Sequence, residues 1–371
     1  MIRETLYKRT STGKIQIWFA EIEGDKYRTT SGQQDGKKTT SDWTFTEAKN
    51  IGKANATTAE EQAIVAVESM YTKQRKKDYR DSVGDVDTIE RFKPMLATKW
   101  QDLKDKIKET TVHLQPKLDG MRCIAKADGL WTRNGERLVS IPHIEEALKE
   151  VFKKYPNKVL DGELYNHDLK DDFNKIVSCA KKTKPTAEDL ETSRLHIQYW
   201  VYDIHDPLKW GKEEVFEARH SFLSIIHTRY LDDTPIKLTP TAIVKTDMVD
   251  EHAAIWIELG FEGAMVRTPG PYQNKRSKFL IKWKEMMDEE FEIIDIQEGA
   301  GNRAGIASRI ILKLPGGRTF AAGVIGNFDY SKWLLDNKNE YIGQSGTVVF
   351  QNYTPDGIPR FPKFKAVRNY E

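Results

Sequence analysis

The chain has 371 residues, which is long for one compact domain and sufficient for two or three domains with sizeable cores. Its 39% hydrophobic and 31% charged residues are typical of a water-soluble protein, and no apolar run approaches the roughly 20 residues that span a bilayer. The net charge of +2 excludes nucleic-acid binding by bulk charge, so any such surface must be a local patch. The N-terminus "MIRETLYKRT" has no apolar signal core, so we expect a cytoplasmic protein without membrane association.

Residues 1–88 are predicted to form a small module of strands followed by one helix. Alternation in "KIQIWFAEIEGDKYR" predicts strands, and "TTAEEQAIVAVESMYTKQRKK" predicts a helix with a threonine cap. The polar, acidic stretch "DYRDSVGDVDTIERFKP" predicts a linker that ends near Pro94.

Strands and helices alternate in residues 89–285. "RCIAKADGLWTRNGE" predicts a hairpin around Asp128-Gly129, and helices are predicted at 144–155, 212–230 and 248–259. The two cysteines, Cys123 and Cys179, lack partners at metal-ligand spacing, so both are predicted to be core residues.

Residues 286–371 are mostly β-structure. Strands are predicted in "FEIIDIQEGAG", "SRIILKLPGGRTFAAGV", "TVVFQNYT" and "FPKFKAVR", with one helical segment, "YSKWLLDNKNEYI". The size and strand content suit a small barrel such as an OB-fold.

A lysine in "HLQPKLDGMRCIAKA" is the first candidate functional residue. Lys117 and Asp119 would share one face of a strand, and Gly120 would let the chain turn sharply after them. A lone lysine, aspartate and glycine at this spacing is more often an ion pair beside a turn, so the interpretation needs further support.

Four other segments supply that support through charged or aromatic residues on strand-like patterns. They are "VLDGELYN" with Asp161 and Glu163, "QYWVYDIHD" with aromatics beside Asp203, "GFEGAMVRTP" with Glu262, and "FLIKWKEM" with Lys282 and Lys284. Each segment alone has the alternating pattern of an ordinary half-exposed strand. Together they offer cations for phosphates, acids for ribose hydroxyls and a metal, and a ring for a base, which a nucleoside triphosphate requires.

The ordered series "KLDGMR", "TRNGE", "DGELYN", "YWVYDIHD", "EGAMVR" and "LIKWK" resembles the motifs of the covalent nucleotidyltransferase superfamily, and most closely those of ATP-dependent DNA ligases. The tail "NEYIGQSGTVVFQNYTPDGIPRFPKFKAVR" resembles the end of the OB-fold in small viral and phage-type ligases. The resemblance covers roughly residues 90–371. It implies an α+β protein with an adenylation domain of antiparallel sheets and helices at 89–285 and an OB-fold at 286–371.

The resemblance also implies a three-step reaction with ATP and with Mg²⁺ or Mn²⁺. Lys117 would attack the α-phosphate of ATP to form lysyl-AMP, AMP would pass to the 5′-phosphate of a nick in duplex DNA, and the 3′-hydroxyl would displace AMP. The attack needs an uncharged amine, which nearby Arg122, Lys282, Lys284 and a bound metal would favour. Such an enzyme would act in DNA replication, repair or recombination, as a monomer that clamps or encircles nicked DNA.

Residue roles follow from the matching positions. Glu163 would bind the ribose, Lys282 and Lys284 would contact phosphates, and Tyr202 would stack on adenine, with Trp200 as the alternative ring.

The resemblance also implies which residues bind the metal and which engage the nick. Glu262 and Asp161 would hold the metal, with Asp161 also supporting the site. Asp119, Arg122 and Arg133 would engage the ends of the nick.

The tail departs from the family in one respect. Many relatives end the OB-fold with an R-x-D-K type motif that orients pyrophosphate, whereas this chain reads "PRFPKFKAVR". The candidates for that role and for DNA contact are Arg360 and Arg368, followed by Lys363 and Lys365. The two lysines could equally be solvated strand residues.

The N-terminal module resembles WGR domains, the DNA-binding modules of some poly-ADP-ribose polymerases. The similarity lies in "GDKYRTTSGQQDGKK" and "KNIGKANATTAEEQAIVAVESMYTKQRKKDYR", although the literal Trp-Gly-Arg triplet is missing. The residues of a possible phosphate-contacting face are Trp18, Lys53, Asn55, Arg75, Lys76 and Lys77. The basic run at the helix end could equally be solvated.

Three other functions remain open from the sequence. A capping-type guanylyltransferase would use GTP, but the tail "IPRFPKF" argues against it. An RNA ligase usually has a different C-terminal domain. A non-catalytic DNA-binding scaffold would show decayed motifs, and the six motifs here are intact.

Overall fold

The structure is a computed structural model that describes residues 3–10, 12–87, 92–209, 215–300, 303–354 and 356–368. Its contacts divide the chain into two compact units, residues 91–285 and residues 1–90 together with 286–371. In the described part of the chain, no helix has the length and apolar character needed to cross a membrane.

The N-terminal segment is an antiparallel sheet and one helix. The elements are β1 (Leu6–Arg9), β2 (Ile15–Glu23), β3 (Lys26–Gln33), β4 (Lys38–Thr40), β5 (Thr44–Phe45) and α1 (Ala59–Arg75). The strand order is β1-β2-β3-β4, and β5 pairs with β3. The predicted cap is confirmed, because the Thr58 hydroxyl accepts the N–H of Glu61 while the Glu61 carboxylate accepts the N–H of Thr58.

Trp18 is a core residue of this segment. It lies on β2, is 5% exposed and contacts the ring of Tyr71 on α1 edge-on, with ring centres 4.8 Å apart. The prediction that Trp18 contributes to a phosphate-contacting face is therefore wrong, because α1 covers the face of β2 that carries it.

Residues 92–285 form two five-stranded sheets with surrounding helices. The elements are β6 (Leu96–Lys99), α2 (Trp100–Leu103), β7 (Thr111–Pro116), β8 (Met121–Lys126), β9 (Gly129–Thr132), α3 (Pro142–Ala147), α4 (Lys149–Lys154), β10 (Val159–Tyr165), α5 (Phe173–Ala180), α6 (Ala187–His196), β11 (Gln198–His205), α7 (Phe216–Tyr230), β12 (Ile236–Leu238), β13 (Ala242–Lys245), α8 (Val249–Glu258), β14 (Ala264–Arg267) and β15 (Arg276–Trp283). The first sheet has the order β12-β11-β10-β8-β9, and the second has β13-β7-β14-β15-β6. Neighbouring strands are antiparallel except β11 with β12 and β15 with β6.

Most predicted elements of this unit are confirmed. The hairpin is β8–β9, α8 matches the helix predicted at 248–259, and both cysteines are buried and free. The helix predicted at 144–155 is two short helices, because the chain bends at Leu148, which is fully buried with φ −89° and ψ −4°. The helix predicted at 212–230 is described from Phe216, and residues 212–214 lie outside the described residues.

The C-terminal segment is a closed β-barrel. Its elements are β16 (Met287–Glu298), β17 (Ala307–Lys313), β18 (Thr319–Val324), α9 (Phe328–Asp336), α10 (Lys338–Tyr341), β19 (Ser345–Phe350) and β20 (Lys363–Val367). The strand order around the barrel is β16-β17-β18-β20-β19. β18 and β20 are parallel, and α9 and α10 lie between β18 and β19 in the chain. The predicted helical segment is confirmed, although it is divided at Asn337.

Candidate active site

Lys117 lies in the loop that carries the chain from the second sheet to the first. Strand β7 ends one residue before it, so the interpretation that Lys117 and Asp119 share a strand face is wrong. The backbone of Lys117 is held on both sides instead. Its N–H donates to the carbonyl of Gly263 at 2.8 Å, and its carbonyl accepts the N–H of Glu262 at 2.9 Å. The lysine is thereby fixed to the start of β14.

Two glycines allow this close approach. A Cβ on Gly120 would lie 2.3 Å from the carbonyl oxygen of Leu164 on β10. Gly263 has φ +141°, and a Cβ there would lie 2.4 Å from the carbonyl oxygen of Trp283. Only glycine fits at these two positions, which explains why the lysine and glutamate motifs both contain one.

The side chains of Lys117 and Lys284 each donate to a different oxygen of Glu262. The Glu262 side chain is 5% exposed. Burial opposes its ionisation, but the two ammonium groups outweigh burial and hold the pKa of Glu262 below its usual value. Burial and neighbouring ammonium groups in turn lower the pKa of Lys282 and of Lys284. A buried carboxylate and three lysines thus share one end of the site.

Glu163 projects from β10 into the same space. Burial raises the pKa of its carboxyl to about 8, although Lys117 and Arg122 oppose that rise. The raised pKa favours the protonated form of the Glu163 carboxyl, and that form can donate one hydrogen bond and accept others, as two ribose hydroxyls would require.

Glu163→Gln should be more stable to unfolding than the wild type at alkaline pH. The unfolded chain loses the Glu163 proton at the ordinary pKa of a glutamate, whereas the folded chain keeps it to about 8. Wild-type stability should therefore fall as the pH rises through this window, by a few kcal/mol, and the uncharged glutamine should not show this fall. Urea unfolding at about pH 5 and about pH 8 measures the difference. Equal pH dependence of the two proteins would contradict the assignment of a raised pKa.

Arg122 is held by a buried carboxylate. Its Nε and Nη2 donate to the two oxygens of Asp161 at 2.9 and 2.5 Å, and the Tyr272 hydroxyl donates to Asp161 Oδ2 at 2.6 Å. Asp161 is 1% exposed and both its oxygens are engaged. Asp161 is therefore suited to orienting Arg122, and its engaged oxygens disfavour a role for Asp161 as a metal ligand.

Tyr202 forms the aromatic wall of the site. Its ring centre lies 5.9 Å from the Arg122 guanidinium and 5.4 Å from that of Arg267. Trp200 contacts the ring of Tyr165 edge-on, with ring centres 5.5 Å apart. Of the two candidate rings, Tyr202 is the one that lines the pocket.

These groups surround a cavity of about 300 Å³ between the two sheets. Its lining residues are Leu96, Ala97, Gln115, Pro116, Lys117, Leu118, Arg122, Arg133, Glu163, Tyr202, Met265, Arg267, Arg276, Leu280, Lys282 and Lys284. Seven of these side chains are lysine or arginine and one is acidic, so the cavity attracts a polyanion.

The structure brings most of the predicted site residues together. Those that line the cavity are Lys117, Arg122, Arg133, Glu163, Tyr202, Lys282 and Lys284. Glu262 joins them through its ion pairs, and the Asp119 carboxylate interacts electrostatically with Lys284.

Three polar lining residues were missed from the sequence. Arg276 shares a face of β15 with Lys282 because the two positions differ by an even number, so strand periodicity could have found it. Arg267 ends the motif "EGAMVR" and lies at the end of β14. Gln115 lies on β7 before the Lys117 loop, and no local pattern marks it.

No group of three or more His, Cys, Asp or Glu side chains in the described segments is arranged to hold a metal. The cavity does offer the ionised carboxylate of Glu262. Mg²⁺ commonly binds through one or two carboxylates together with substrate phosphates and water. The residues therefore fit a Mg²⁺ that arrives with a nucleotide, rather than one held in a protein cage.

The remaining candidates lie in the other compact unit. Arg75 is exposed and donates to Asp81 Oδ1 at 2.6 Å. The side chains of Lys53, Asn55, Lys76, Lys77, Lys363 and Lys365 are exposed. The Arg360 guanidinium lies 5.4 Å from the ring centre of Phe361, and Arg368 Nε donates to Glu290 at 2.5 Å. The DNA and pyrophosphate roles of these residues stay predictions.

The Lys117 loop, the aromatic wall and the cation-lined cavity together form a site that suits an anionic ligand with a planar ring, such as a nucleotide. The family model described as ATP dependent DNA ligase domain matches residues 94–284, which is more than half of the chain. The chain belongs to that family.

Curated relatives are DNA ligases of viral, bacterial and phage origin. A DNA ligase of African swine fever virus is 29% identical over 294 residues, covering 74% of this chain and 65% of the relative. A DNA ligase of Haemophilus influenzae is 26% identical over 262 residues, covering 68% of this chain and 84% of the relative. The chain thus spans 65% of the length of the viral relative.

Solved structures show the same fold. A Lig E DNA ligase, from a study of DNA binding with a minimal scaffold, aligns with a TM-score of 0.61 at 20% identity, covering 76% of this chain and 100% of that one. The protein Pmar-Lig aligns with a TM-score of 0.64 at 20% identity, covering 84% of this chain and 72% of that one. At these identities the likeness concerns the fold alone.

Proposed function

We propose that this chain is an ATP-dependent DNA ligase that seals nicks with a 3′-hydroxyl and a 5′-phosphate in duplex DNA. The observation that carries the proposal is Lys117, whose backbone is fixed to Glu262 and Gly263 at the edge of a cavity lined by seven cations. Family membership and the DNA ligases among its relatives support the same reading.

The proposed reaction begins with attack of Lys117 Nζ on the α-phosphate of ATP. A phosphorus–nitrogen bond forms, the bond to the β-phosphate breaks, and pyrophosphate leaves. Lys282 and Lys284, whose pKa values are lowered by burial, lie where they can bind the phosphates. Tyr202 would stack on the adenine, and Glu163 would bind the ribose.

The next two steps use the nick. The 5′-phosphate attacks the lysine-bound AMP, and Lys117 leaves. The 3′-hydroxyl then attacks the activated 5′-phosphate, a phosphodiester bond forms, and AMP departs. Arg122, held by Asp161, together with Asp119 and Arg133 would position the ends of the nick.

Glu262 is the proposed ligand of Mg²⁺, or of Mn²⁺. A bound divalent cation would neutralise phosphate charge and polarise the α-phosphate. In the structure Glu262 binds Lys117 and Lys284, so nucleotide phosphates would draw these lysines away and leave the carboxylate for the metal.

We further propose three modules, 1–88, 89–285 and 286–371. The barrel order β16-β17-β18-β20-β19, together with the helices between β18 and β19 in the chain, supports an OB-fold. Arg360 and Arg368 would contact DNA or orient pyrophosphate from this barrel. We expect a monomer that encircles or clamps nicked DNA.

Incubation with ATP or GTP labelled at the α-phosphate, followed by denaturing gel electrophoresis, tests the first step. We expect covalent label from ATP and none from GTP. Label from GTP would indicate a guanylyltransferase instead. Addition of a nicked DNA duplex or a nicked RNA duplex to the labelled protein then separates a DNA ligase from an RNA ligase.

Replacing Arg75, Lys76 and Lys77 together by alanine tests the proposed WGR-like module. If these exposed side chains contact DNA phosphates, affinity for nicked duplex should fall most at low salt, and the dependence of log affinity on log salt should become shallower by about 0.9 for each lost contact. Adenylation by ATP should stay unchanged, because the cavity is lined by residues of the middle unit.

A triple alanine variant at Lys149, Lys153 and Lys154 on α4 removes the same charge and serves as the control. Affinity is measured against salt for the wild type and both variants. Superimposable lines for the wild type and the Arg75–Lys77 variant would mean that this basic run is merely solvated.

A further inference from the structure

A buried charged cluster lies behind the aromatic wall of the cavity. Arg219 on α7 is 3% exposed, and its Nε and Nη2 donate to the two oxygens of Asp203 at 2.8 and 3.0 Å. Its Nη1 donates to the carbonyl of Gly270 at 3.0 Å. Arg219 therefore connects α7 to β11 and to the loop that follows β14. A cation this deeply buried is strongly destabilising unless its partners are held in place.

Asp203 is shared by a second arginine. Arg267 Nη1 donates to Asp203 Oδ2 at 2.8 Å, and Arg267 Nε donates to Gln115 Oε1 at 3.0 Å. Arg219 lies behind this pair, whereas Arg267 and Gln115 line the cavity. The position of Arg267 thus depends on a carboxylate that Arg219 orients from the opposite side.

The hydrogen bonds continue to the aromatic wall. Gln115 Nε2 donates to the backbone carbonyl of Tyr202 at 3.2 Å and to the Thr241 hydroxyl at 3.0 Å. Tyr202 also directly precedes Asp203 on β11, so its backbone is fixed from two directions. Movement of Asp203 would therefore change both the ring of Tyr202 and the guanidinium of Arg267 that lies over it.

A second series of contacts connects Arg219 to Arg122. Gly270, which accepts from Arg219, is two residues before Tyr272, and the Tyr272 hydroxyl donates to Asp161. Asp161 in turn holds Arg122, the other guanidinium beside the Tyr202 ring. Both cationic neighbours of that ring are therefore connected to Arg219.

We propose that Arg219, which lies outside all six sequence motifs, is a positioning residue that sets the base end of the nucleotide pocket through Asp203. This proposal rests on the proposed function, since it assigns the Tyr202 side of the cavity to the nucleobase. Arg219 touches neither Lys117 nor Glu262 in this network, so its loss should weaken nucleotide binding more than it slows the chemical step.

The test measures the rate of covalent AMP formation against ATP concentration, on full-length protein first stripped of AMP with pyrophosphate. Arg219→Met removes the charge and all three donors, and we expect the KM for ATP to rise about tenfold with a change in maximal rate of less than about threefold. Arg219→Lys keeps the charge but loses the two-pronged contact, so its KM should rise about threefold.

Ile226→Ala is the matched control. Ile226 lies on the same helix, is fully buried, and belongs to the apolar core cluster of the first sheet. It should lower the melting temperature without changing the KM for ATP. This separates positioning from a general loss of stability.

An unchanged KM in Arg219→Met would overturn the proposal, as would a rise in Ile226→Ala as large as in Arg219→Met. If Arg219→Met does not fold, Arg219→Lys decides, with a raised KM supporting the proposal and an unchanged KM overturning it. Failure of the proposed function is distinct from these outcomes, because it would appear as absence of AMP label on the wild-type protein.

Discussion

Lys117→Ala should carry no covalent AMP after incubation with ATP and Mg²⁺. The substitution removes a side chain whose backbone N–H and carbonyl both hold it at the edge of the cavity. Removal of a nucleophile lowers the rate of a serine protease on the order of 10⁶-fold, and a loss of this size would bring labelling to background. Lys282 and Lys284 remain in the variant, so the result tests position and not merely the presence of an amine.

The fold of Lys117→Ala should survive. Glu262 keeps Lys284 as its partner, so the buried carboxylate is not left unpaired. Circular dichroism and thermal melting establish that the variant is folded. Lys284→Ala is the comparison, since it removes the other partner of Glu262 and should slow labelling without abolishing it. A folded Lys117→Ala protein that accepts AMP would remove Lys117 from the role of nucleophile.

Glu262→Gln should reduce adenylation and nick sealing by on the order of 10²-fold or more, because a metal ligand contributes several kcal/mol to stabilising charge in the transition state. The glutamine keeps the shape of the side chain but loses the charge that holds Lys117 and Lys284. Affinity for nicked DNA should change by less than about twofold. The Glu262 side chain is buried, whereas sequence-independent DNA binding comes from exposed lysine and arginine side chains that contact phosphates.

A titration with Mg²⁺ and with Mn²⁺ is the decisive measurement for this variant. We expect its half-saturating metal concentration to rise, with binding of nicked duplex preserved in the absence of metal. Near-normal sealing by Glu262→Gln over the whole Mg²⁺ titration would exclude Glu262 as the metal ligand.

The sequence predicted the parts of the site that depend on local patterns. Strand periodicity placed Glu163 on a face that does line the cavity, and it placed Lys282 beside Lys284. The glycine after Asp119 marked the tight passage next to β10, where a side chain would collide with a backbone carbonyl. These features are set by spacing within one segment, so the sequence alone contains them.

Features that depend on contacts between distant segments were not predictable in this way. Trp18 fits the alternating pattern of β2, but only the packing of α1 determines which face of the strand is buried. Gln115 contacts Arg267 across 152 residues of the chain, and Arg219 reaches Asp203 only through the packing of α7 on β11, so no local pattern marks either residue. The interruption at Leu148 likewise has no signal in helix propensity.

Nick sealing by the purified full-length protein tests the central claim most directly. The assay supplies ATP, Mg²⁺ and a duplex with one labelled 5′-phosphate nick, and it follows the strands on a denaturing gel with time. We predict that a strand carrying AMP on its 5′-phosphate appears first and is then replaced by the joined strand, with no product when ATP is omitted from protein that has been stripped of AMP. A wild-type protein that takes up AMP on Lys117 but yields neither the adenylated nor the joined DNA strand would contradict the assignment as a DNA ligase.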